Sequence, residues 1–268
     1  MAGSAYPVGA TRVQGDTLAL STTVASLGIP PDFHQAIVYN PATDFRLHIN
    51  PRILDVVFFD DSAATGAEYI NTSSSVNLNT DLTDRGTGTG SGTTLDSSTT
   101  SDFLYICLYE PTAGINVTIG AANSTTSTLT AEYRKNDDTW ADLSATDNTD
   151  SGGATLAQTG SITWTAVTDW KAVQLVGPQV TAVADEKNST SGVGGTVGFW
   201  LRLSWSVALD SDTEITELWT LNNDTNRGYF RAGQEYGLSF DRSRVGAIEA
   251  ILAAGTDTCQ ITWVRTVH

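Results

Sequence analysis

The sequence predicts an all-β protein made of antiparallel strands. Short apolar runs alternate with polar residues, and Thr, Ser, Asn and Gly crowd the segments between them. Apolar residues do not recur at helical spacing over any long stretch. The densest run is Phe103–Tyr109, which ends at the turn Glu110-Pro111. We therefore expect a β-sandwich domain over residues 101–205.

The first 32 residues are expected to form an N-terminal arm, residues 1–32. Its one weak strand pattern is Thr17–Val24. Gly28-Ile-Pro-Pro31 ends it, because tandem prolines cannot sit within a central ladder. Such an arm is expected to become ordered only against a neighbouring subunit.

Two flanking segments, 33–100 and 206–268, are expected to pair into a β base domain, so that the sandwich is an insertion in it or an attachment to it. His34–Ile49 has the pattern of a hairpin with its turn at Asn40–Asp44. Thr83–Thr100 is rich in Gly, Thr and Ser, which is typical of a flexible loop or linker.

The composition is strongly acidic. The formal charge is −16, from 22 Asp and 8 Glu against 3 Lys and 11 Arg. A chain of this charge repels phosphate, so the sequence argues against a nucleic-acid partner. The excess of Asp and the near absence of Lys indicate a halophilic protein. At about 1 M salt the Debye length is only about 3 Å, so repulsion between the like charges of the chain is largely screened. An ordinary acidic surface is the alternative interpretation.

The two cysteines, Cys107 and Cys259, each lie within an apolar strand-like run. We expect buried free thiols, because a free cysteine behaves as a small apolar residue. A disulfide between them would need Cα atoms within about 7 Å, which the sequence does not determine. No apolar run approaches the ~20 residues of a membrane span, so no membrane partner is expected.

Five tryptophans of the central segment could form a platform for sugars. Trp164 and Trp205 lie in alternating strands, which favours a core position for both. Trp140 follows the turn Asn136–Thr139, and Trp170 follows Asp169. Trp140 and Trp170 are therefore the candidate ligand-facing residues.

No constellation for catalysis stands out, so we expect neither an enzyme nor a cofactor. Asp147–Gly153 has oxygen-bearing side chains before glycine, but it lacks the spacing of an EF-hand, and an Asx-stabilised turn is favoured. His34, His48 and His268 are too few and too separated to predict a metal site.

The central segment resembles a β-sandwich module of virion structural proteins from tailed bacterial and archaeal viruses, loosely similar to carbohydrate-binding jelly rolls. The residues that carry the resemblance are Leu129–Trp170 and the late strand Phe199–Trp205. It covers the middle of the chain, and the loop Thr181–Thr196 is longer than this pattern has. The resemblance implies a jelly-roll-like sandwich.

The function that the resemblance implies is a capsid decoration, cement or turret protein on the virion, synthesised in the host cytoplasm. Its expected partners are the major capsid protein or other virion proteins and further copies of itself, as a homotrimer or homopentamer. A tail-fibre or baseplate module that binds host-surface glycans is the alternative, with the glycan held by Trp140, Trp170 or the 181–196 loop.

Overall fold

The structure is a computed structural model, which describes residues 10–21, 25–29, 33–40, 42–60, 68–70, 72–73, 76–77, 93–95, 98–175, 196–221, 228–239, 245–252 and 254–266. Every regular element in these ranges is a β-strand, and the strands pair antiparallel. The predicted all-β class is therefore confirmed. No described segment forms a helix long and apolar enough to span a membrane.

The chain divides into two compact units, but not at the predicted boundaries. Unit 1 combines Met1–Arg52 with Asn222–His268, and unit 2 is Ile53–Leu221. The predicted base, 33–100 with 206–268, and the predicted sandwich, 101–205, therefore need correction. The reason is pairing: strand Ile53–Asp60 and strand Glu214–Thr220 add to the sheets of the middle segment.

Unit 1 has eight described strands, numbered here in chain order through the whole molecule: β1 (Ala10–Leu20), β2 (Ala25–Gly28), β3 (Gln35–Tyr39), β4 (Phe45–Pro51), β19 (Gly228–Phe230), β20 (Glu235–Ser239), β21 (Val245–Leu252) and β22 (Asp257–Thr266). They form two four-stranded sheets, in the orders β1-β22-β3-β20 and β19-β4-β21-β2. Counted within the unit, these orders are 1-8-3-6 and 5-4-7-2, which is the strand order of a jelly roll.

The expected separate arm is instead part of this jelly roll. β1 pairs with β22 from Ala10, opposite Thr266, to Leu20, opposite Asp257, with a shift in register between Ala10 and Arg12. Leu18 and Leu20 are buried in the core of the unit, which explains why the segment folds with the C-terminal strand. Residues 22–24 and 30–31 lie outside the described residues.

The interior of unit 1 is filled by apolar side chains from both sheets. Phe33, Phe45 and Trp263 are its largest fully buried members. The strands alternate as a half-buried sheet requires: in β22, Cys259, Ile261 and Trp263 are buried, while Thr258 and Gln260 are exposed.

Unit 2 has fourteen described strands: β5 (Ile53–Asp60), β6 (Glu68–Ile70), β7 (Thr72–Ser73), β8 (Val76–Asn77), β9 (Thr93–Thr94), β10 (Phe103–Leu108), β11 (Gly114–Ala121), β12 (Leu129–Arg134), β13 (Trp140–Asp142), β14 (Thr146–Asp147), β15 (Gly160–Thr163), β16 (Ala172–Gln174), β17 (Val197–Trp205) and β18 (Glu214–Thr220). One sheet has the order β13-β12-β17-β10-β5-β6, with β16 also pairing β17, and a second has the order β14-β15-β11-β18-β9.

The two sheets of unit 2 enclose its main apolar core, to which both contribute. The first sheet also buries part of its other face, where Val57, Tyr105, Cys107, Leu175 and Trp200 form a second, smaller core. That sheet is thus covered on both faces near its centre.

The predicted linker Thr83–Thr100 is only partly a loop. Its residues 83–92 lie outside the described residues. Thr93–Thr94 pairs with β18, and Leu95 is fully buried in the main core. Of the loop Thr181–Thr196, only Thr196 is described, and its Oγ1 donates to Asp55 Oδ2 at 2.8 Å.

Candidate functional site

The candidate site lies around Trp140, on the face of the first unit 2 sheet that carries the smaller core. Trp140 begins the edge strand β13 and lies opposite Arg134 of β12. Its ring is partly exposed and packs against Tyr105, with the ring centroids 5.8 Å apart. Trp140 therefore has the edge position that a ligand-contacting ring needs.

The Arg202 guanidinium occupies one face of the Trp140 ring. Its Cζ lies 4.6 Å from the Trp140 centroid and 4.5 Å from the Phe103 centroid, so it contacts both rings. Nε of Arg202 donates to Glu132 Oε2 at 2.7 Å, and the two side chains are 12% and 20% exposed. Cation–π contacts with partly exposed rings such as these are worth about 0.5–1 kcal/mol each.

Arg134 lies beside this stack and is also largely buried, with a side chain 7% exposed. Its Nη2 is 3.8 Å from Asp138 Oδ1, and its Cζ is 5.7 Å from the Trp140 centroid. Burial lowers the pKa of Arg134, with Arg202 adding to the effect and Asp138 opposing it. Arg134 Nε and Trp140 Nε1 are buried and have no hydrogen-bond partner among the described residues.

Trp170, the other residue expected to face a ligand, is in the core. It is 7% exposed, and its Nε1 donates to the Trp200 carbonyl at 3.1 Å. Its ring packs against Tyr133 at 5.4 Å and Trp164 at 6.3 Å between centroids. Trp170 thus has no ring face open to a ligand.

Ion pairs fix the turn between β12 and β13 against the segment that carries Trp170. Lys171 Nζ lies 2.9 Å from Asp138 Oδ1, and Lys135 Nζ lies 3.7 Å from Asp169 Oδ2. Tyr133 donates its hydroxyl to Asp169 Oδ1 at 2.7 Å. Burial, followed by this hydrogen bond and the Asp169 charge, raises the pKa of Tyr133 to about 12. The hydroxyl is therefore a fixed donor in the neutral range.

The loop Asp147–Gly153 is an Asx-stabilised turn, which confirms the favoured interpretation. Asp147 Oδ1 accepts from the Thr149 amide at 2.8 Å and from its hydroxyl at 2.6 Å, and Oδ2 accepts from Thr155 Oγ1 at 2.6 Å. Gly152 and Gly153 have φ of 66° and 88°, the left-handed conformation that favours glycine. Both oxygens of the Asp147 carboxylate thus accept hydrogen bonds from within the same loop and stabilise the turn.

The predicted core positions of Trp164 and Trp205 are confirmed, at 7% and 3% exposure. His34 is exposed just before β3, His48 lies within β4, and His268 is outside the described residues. The described residues contain no group of three or more His, Cys, Asp or Glu placed to hold a metal ion.

Cys107 and Cys259 are both free and fully buried, as expected. Burial raises the pKa of the Cys107 thiol, and it raises that of Cys259 to about 12. Gly198 faces Cys107 so closely that a Cβ there would lie 2.4 Å from its Sγ. Both thiols are therefore neutral packing groups.

Arg202, Phe103 and Arg134 were not among the candidate residues from the sequence. A signal was present: Arg202 breaks the apolar run Phe199–Trp205, and Glu132 and Arg134 alternate with apolar residues in β12. Alternation places such residues on one face of a sheet, but it does not show that strands distant in sequence are neighbours.

No model of a known protein family matches the chain, and no curated protein matches it either. The fold and the geometry of the Trp140 site are therefore the basis of the functional argument.

Proposed function

We propose that the chain is a structural protein of a tailed-virus particle, which decorates or reinforces the capsid as a cement or turret subunit. The observation that carries the proposal is the jelly-roll strand order of unit 1, 1-8-3-6 facing 5-4-7-2. Double-sheet jelly rolls of eight strands recur in viral capsid proteins, in lectins and in cupins. A fold of this kind does not determine function by itself. The side chains of the interior and the charge of the chain are therefore used to distinguish among these three classes of protein.

The interior argues against a cupin-like enzyme. Side chains from both sheets, including Phe33, Phe45 and Trp263, fill the space in which a cupin would hold its metal and substrate. Asn50 and Glu249 of unit 1 are both buried and are joined by Asn50 Nδ2 donating to Glu249 Oε2 at 2.8 Å. A jelly roll whose interior is filled by side chains is better suited to a structural protein than to an enzyme with an internal active site.

The charge of the chain supports an outer rather than a genome-facing role. A net charge of −16 repels nucleic acid, so contact with packaged genome would cost energy. The same charge keeps free subunits soluble before assembly. Many weak contacts repeated by symmetry can then give avidity without one tight site.

The insertion of unit 2 into the chain of unit 1 supports separate roles for the two units. Residues 53–221 form a unit with its own core, carried between β4 and β19 of the jelly roll. We propose that unit 1 makes most of the contacts within the particle and that unit 2 is largely exposed on its surface.

The test is quantitative mass spectrometry and immunogold labelling of particles purified by density gradient. We expect the chain to copurify with the major capsid protein at a fixed ratio, with label on the particle heads. Antibodies against unit 2 should label intact particles, whereas antibodies against β1–β4 should require their disruption. Recovery of the chain only in the soluble fraction would contradict the proposal.

A tail-fibre or baseplate module for host glycans is the second candidate, and the partly exposed ring of Trp140 on an edge strand favours it. Labelling of tails instead of heads would support this candidate. On a glycan array, binding by the wild type that Trp140→Ala abolishes would support it further. Trp219 is a buried residue of β18, in the other sheet of unit 2, and Trp219→Phe is the control that should retain binding. Since Arg202 and Arg134 both lie over the Trp140 ring, a sugar would contact only the part of the ring that these two side chains leave exposed.

A further inference from the structure

A largely buried guanidinium without a hydrogen bond lies beside Trp140. The Arg134 side chain is only 7% exposed, yet it donates no hydrogen bond to any described residue. Its Nε is wholly buried without an acceptor, and so is Nε1 of Trp140, which lies opposite Arg134 in the pairing of β12 with β13. A buried donor without a partner is destabilising, and more so when it carries a charge. The described part of the chain therefore leaves two neighbouring donors without an acceptor.

The charge of Arg134 is also incompletely compensated. Among the described residues, the one carboxylate within 4 Å of its nitrogens is that of Asp138, whose Oδ1 lies 3.8 Å from Nη2. Asp138 is 55% exposed, and the same oxygen lies closer to Lys171 Nζ, at 2.9 Å. Burial lowers the pKa of Arg134, Asp138 opposes this effect, and the charge of Arg202 adds to it. The Glu132 carboxylate accepts a hydrogen bond from Arg202 Nε at 2.7 Å, so it is not available to Arg134.

Arg134 lies where a ligand can approach it. It is the last residue of β12, beside the edge strand β13, and the neighbouring ring of Trp140 is partly exposed. Of the three guanidinium nitrogens only Nε is wholly buried, so the two terminal nitrogens keep contact with the surface. Because no hydrogen bond holds the guanidinium, it can turn towards a ligand without breaking one.

We propose that Arg134 binds the carboxylate of an acidic sugar, a hexuronate, whose ring packs on the exposed part of Trp140. The planar guanidinium matches a carboxylate in bidentate geometry. The single charge of a carboxylate also matches a single cation whose compensation is incomplete. The Cζ of Arg134 lies 5.7 Å from the centroid of the Trp140 ring, so one small ligand can contact both side chains. The aromatic ring supplies the apolar contact that a sugar face needs.

Cationic side chains gather around this site in an otherwise acidic chain. They are four of the 14 Lys and Arg residues: Arg134, Lys135, Lys171 and Arg202. The Lys171 amide donates to the Arg134 carbonyl at 2.9 Å, and the Arg202 guanidinium lies over the ring of Trp140. Their ion-pair partners are equal in number: Glu132, Asp137, Asp138 and Asp169. The ion-paired groups around Arg134 therefore add no net negative charge against an acidic ligand, and repulsion from distant carboxylates is screened beyond about 8 Å at physiological salt.

This inference rests on the second candidate function, a glycan-binding module at Trp140, and names the class of glycan. The purified full chain is titrated by calorimetry in about 0.1 M KCl with a trisaccharide of glucuronic acid, the same trisaccharide with its carboxyl groups reduced to hydroxymethyl groups, and potassium acetate. We expect the acidic trisaccharide to bind roughly tenfold or more tightly than the neutral one, as for a hydrogen bond between charged groups. Equal affinity for both, or binding of neither, would overturn the site. Acetate binding as tightly as the acidic trisaccharide would overturn the sugar as the source of the carboxylate.

Two variants test the role of Arg134 in opposite directions. Arg134→Gln should weaken binding of the acidic trisaccharide roughly tenfold or more, whereas Arg231→Gln, the same change of charge at an exposed position of unit 1, should alter it less than about twofold. Asp138→Asn should strengthen binding about threefold, because it removes the carboxylate that competes for Arg134. Asparagine tolerates the φ of 63° at this position, so the turn is kept. A guanidinium that only packs on Trp140 gives no such gain, so unchanged or weaker binding by Asp138→Asn would refute the site even where Arg134→Gln does not fold.

The outcomes for the site and for the candidate function are separate. A chain that is missing from tails, yet binds the acidic trisaccharide through Arg134, would contradict the tail-module function and leave the site intact. A chain that labels tails and binds only neutral glycans would contradict the site and leave that function intact.

Discussion

Replacing Arg202 with methionine should destabilise unit 2. The variant removes two cation–π contacts, with Phe103 and Trp140, and a 2.7 Å hydrogen bond to Glu132. The contacts contribute about 0.5–1 kcal/mol each, and a hydrogen bond between charged groups about 1.5–3 kcal/mol. Methionine restores some packing, so we expect a loss of about 2–4 kcal/mol in the free energy of unfolding.

The loss has a second part that a double mutant separates. Without Arg202, the Glu132 carboxylate stays only 20% exposed and has lost its counter-charge. Glu132→Gln in the Arg202→Met background should therefore recover part of the stability. We expect a coupling energy of about 1–3 kcal/mol between the two positions, as for other residues in one contact network.

Urea unfolding followed by tryptophan fluorescence measures this effect in the right part of the molecule. Six of the seven tryptophans belong to unit 2, and only Trp263 belongs to unit 1. Arg231→Met, an exposed arginine of unit 1, is the control and should change the free energy of unfolding by no more than about 0.5 kcal/mol. A similarly small change for Arg202→Met would refute the assignment of the stack as a stabilising contact.

Three further predictions concern pH, salt and the thiols. Hydrogen bonds from Ser124, with those from Thr213 and backbone amides, lower the pKa of Asp210 to about 2. The contribution of the Asp210 carboxylate to stability is therefore complete above its unfolded pKa near 4 and disappears as the pH falls towards 2. Between about pH 4 and pH 2, the melting temperature of Asp210→Asn should therefore fall less steeply than that of the wild type. Melting temperatures in about 0.1 M and 2 M KCl should differ clearly, with the higher value in high salt, since screening relieves repulsion in a chain of charge −16; equal values would contradict salt adaptation. Cys107 and Cys259 should react with a thiol reagent only on unfolding, and rapid labelling of the native chain would contradict their burial.

The sequence predicted what depends on local pattern. Alternation identified the strands and placed Trp164 and Trp205 in the core, and the Asx turn at Asp147 followed from its side chains. These features are determined by neighbours along the chain, so a single sequence is sufficient to predict them.

The sequence did not predict what depends on pairing between distant segments. Ile53–Asp60 has the same apolar pattern as a base-domain strand, and only its pairing with Phe103–Leu108 assigns it to unit 2. Trp170 follows an exposed-looking turn, yet Tyr133 and Trp164 cover it from other strands. Contacts of this kind leave no periodic trace in the sequence.

The position of the insertion affects the order in which the protein can form during synthesis. Unit 2 is continuous in sequence, from Ile53 to Leu221, whereas unit 1 needs β22, which follows unit 2 in the chain. At about 5–20 residues per second, the 237 residues from Leu20 to Asp257 take about 12–47 s, so β1 is made that long before the strand with which it pairs. Unit 2 can fold on the ribosome during that interval, and its compact form then shortens the loop that β4 and β19 must close. The jelly roll is thus completed only after unit 2 has been made, and β1 remains without its partner β22 until that strand has been synthesised.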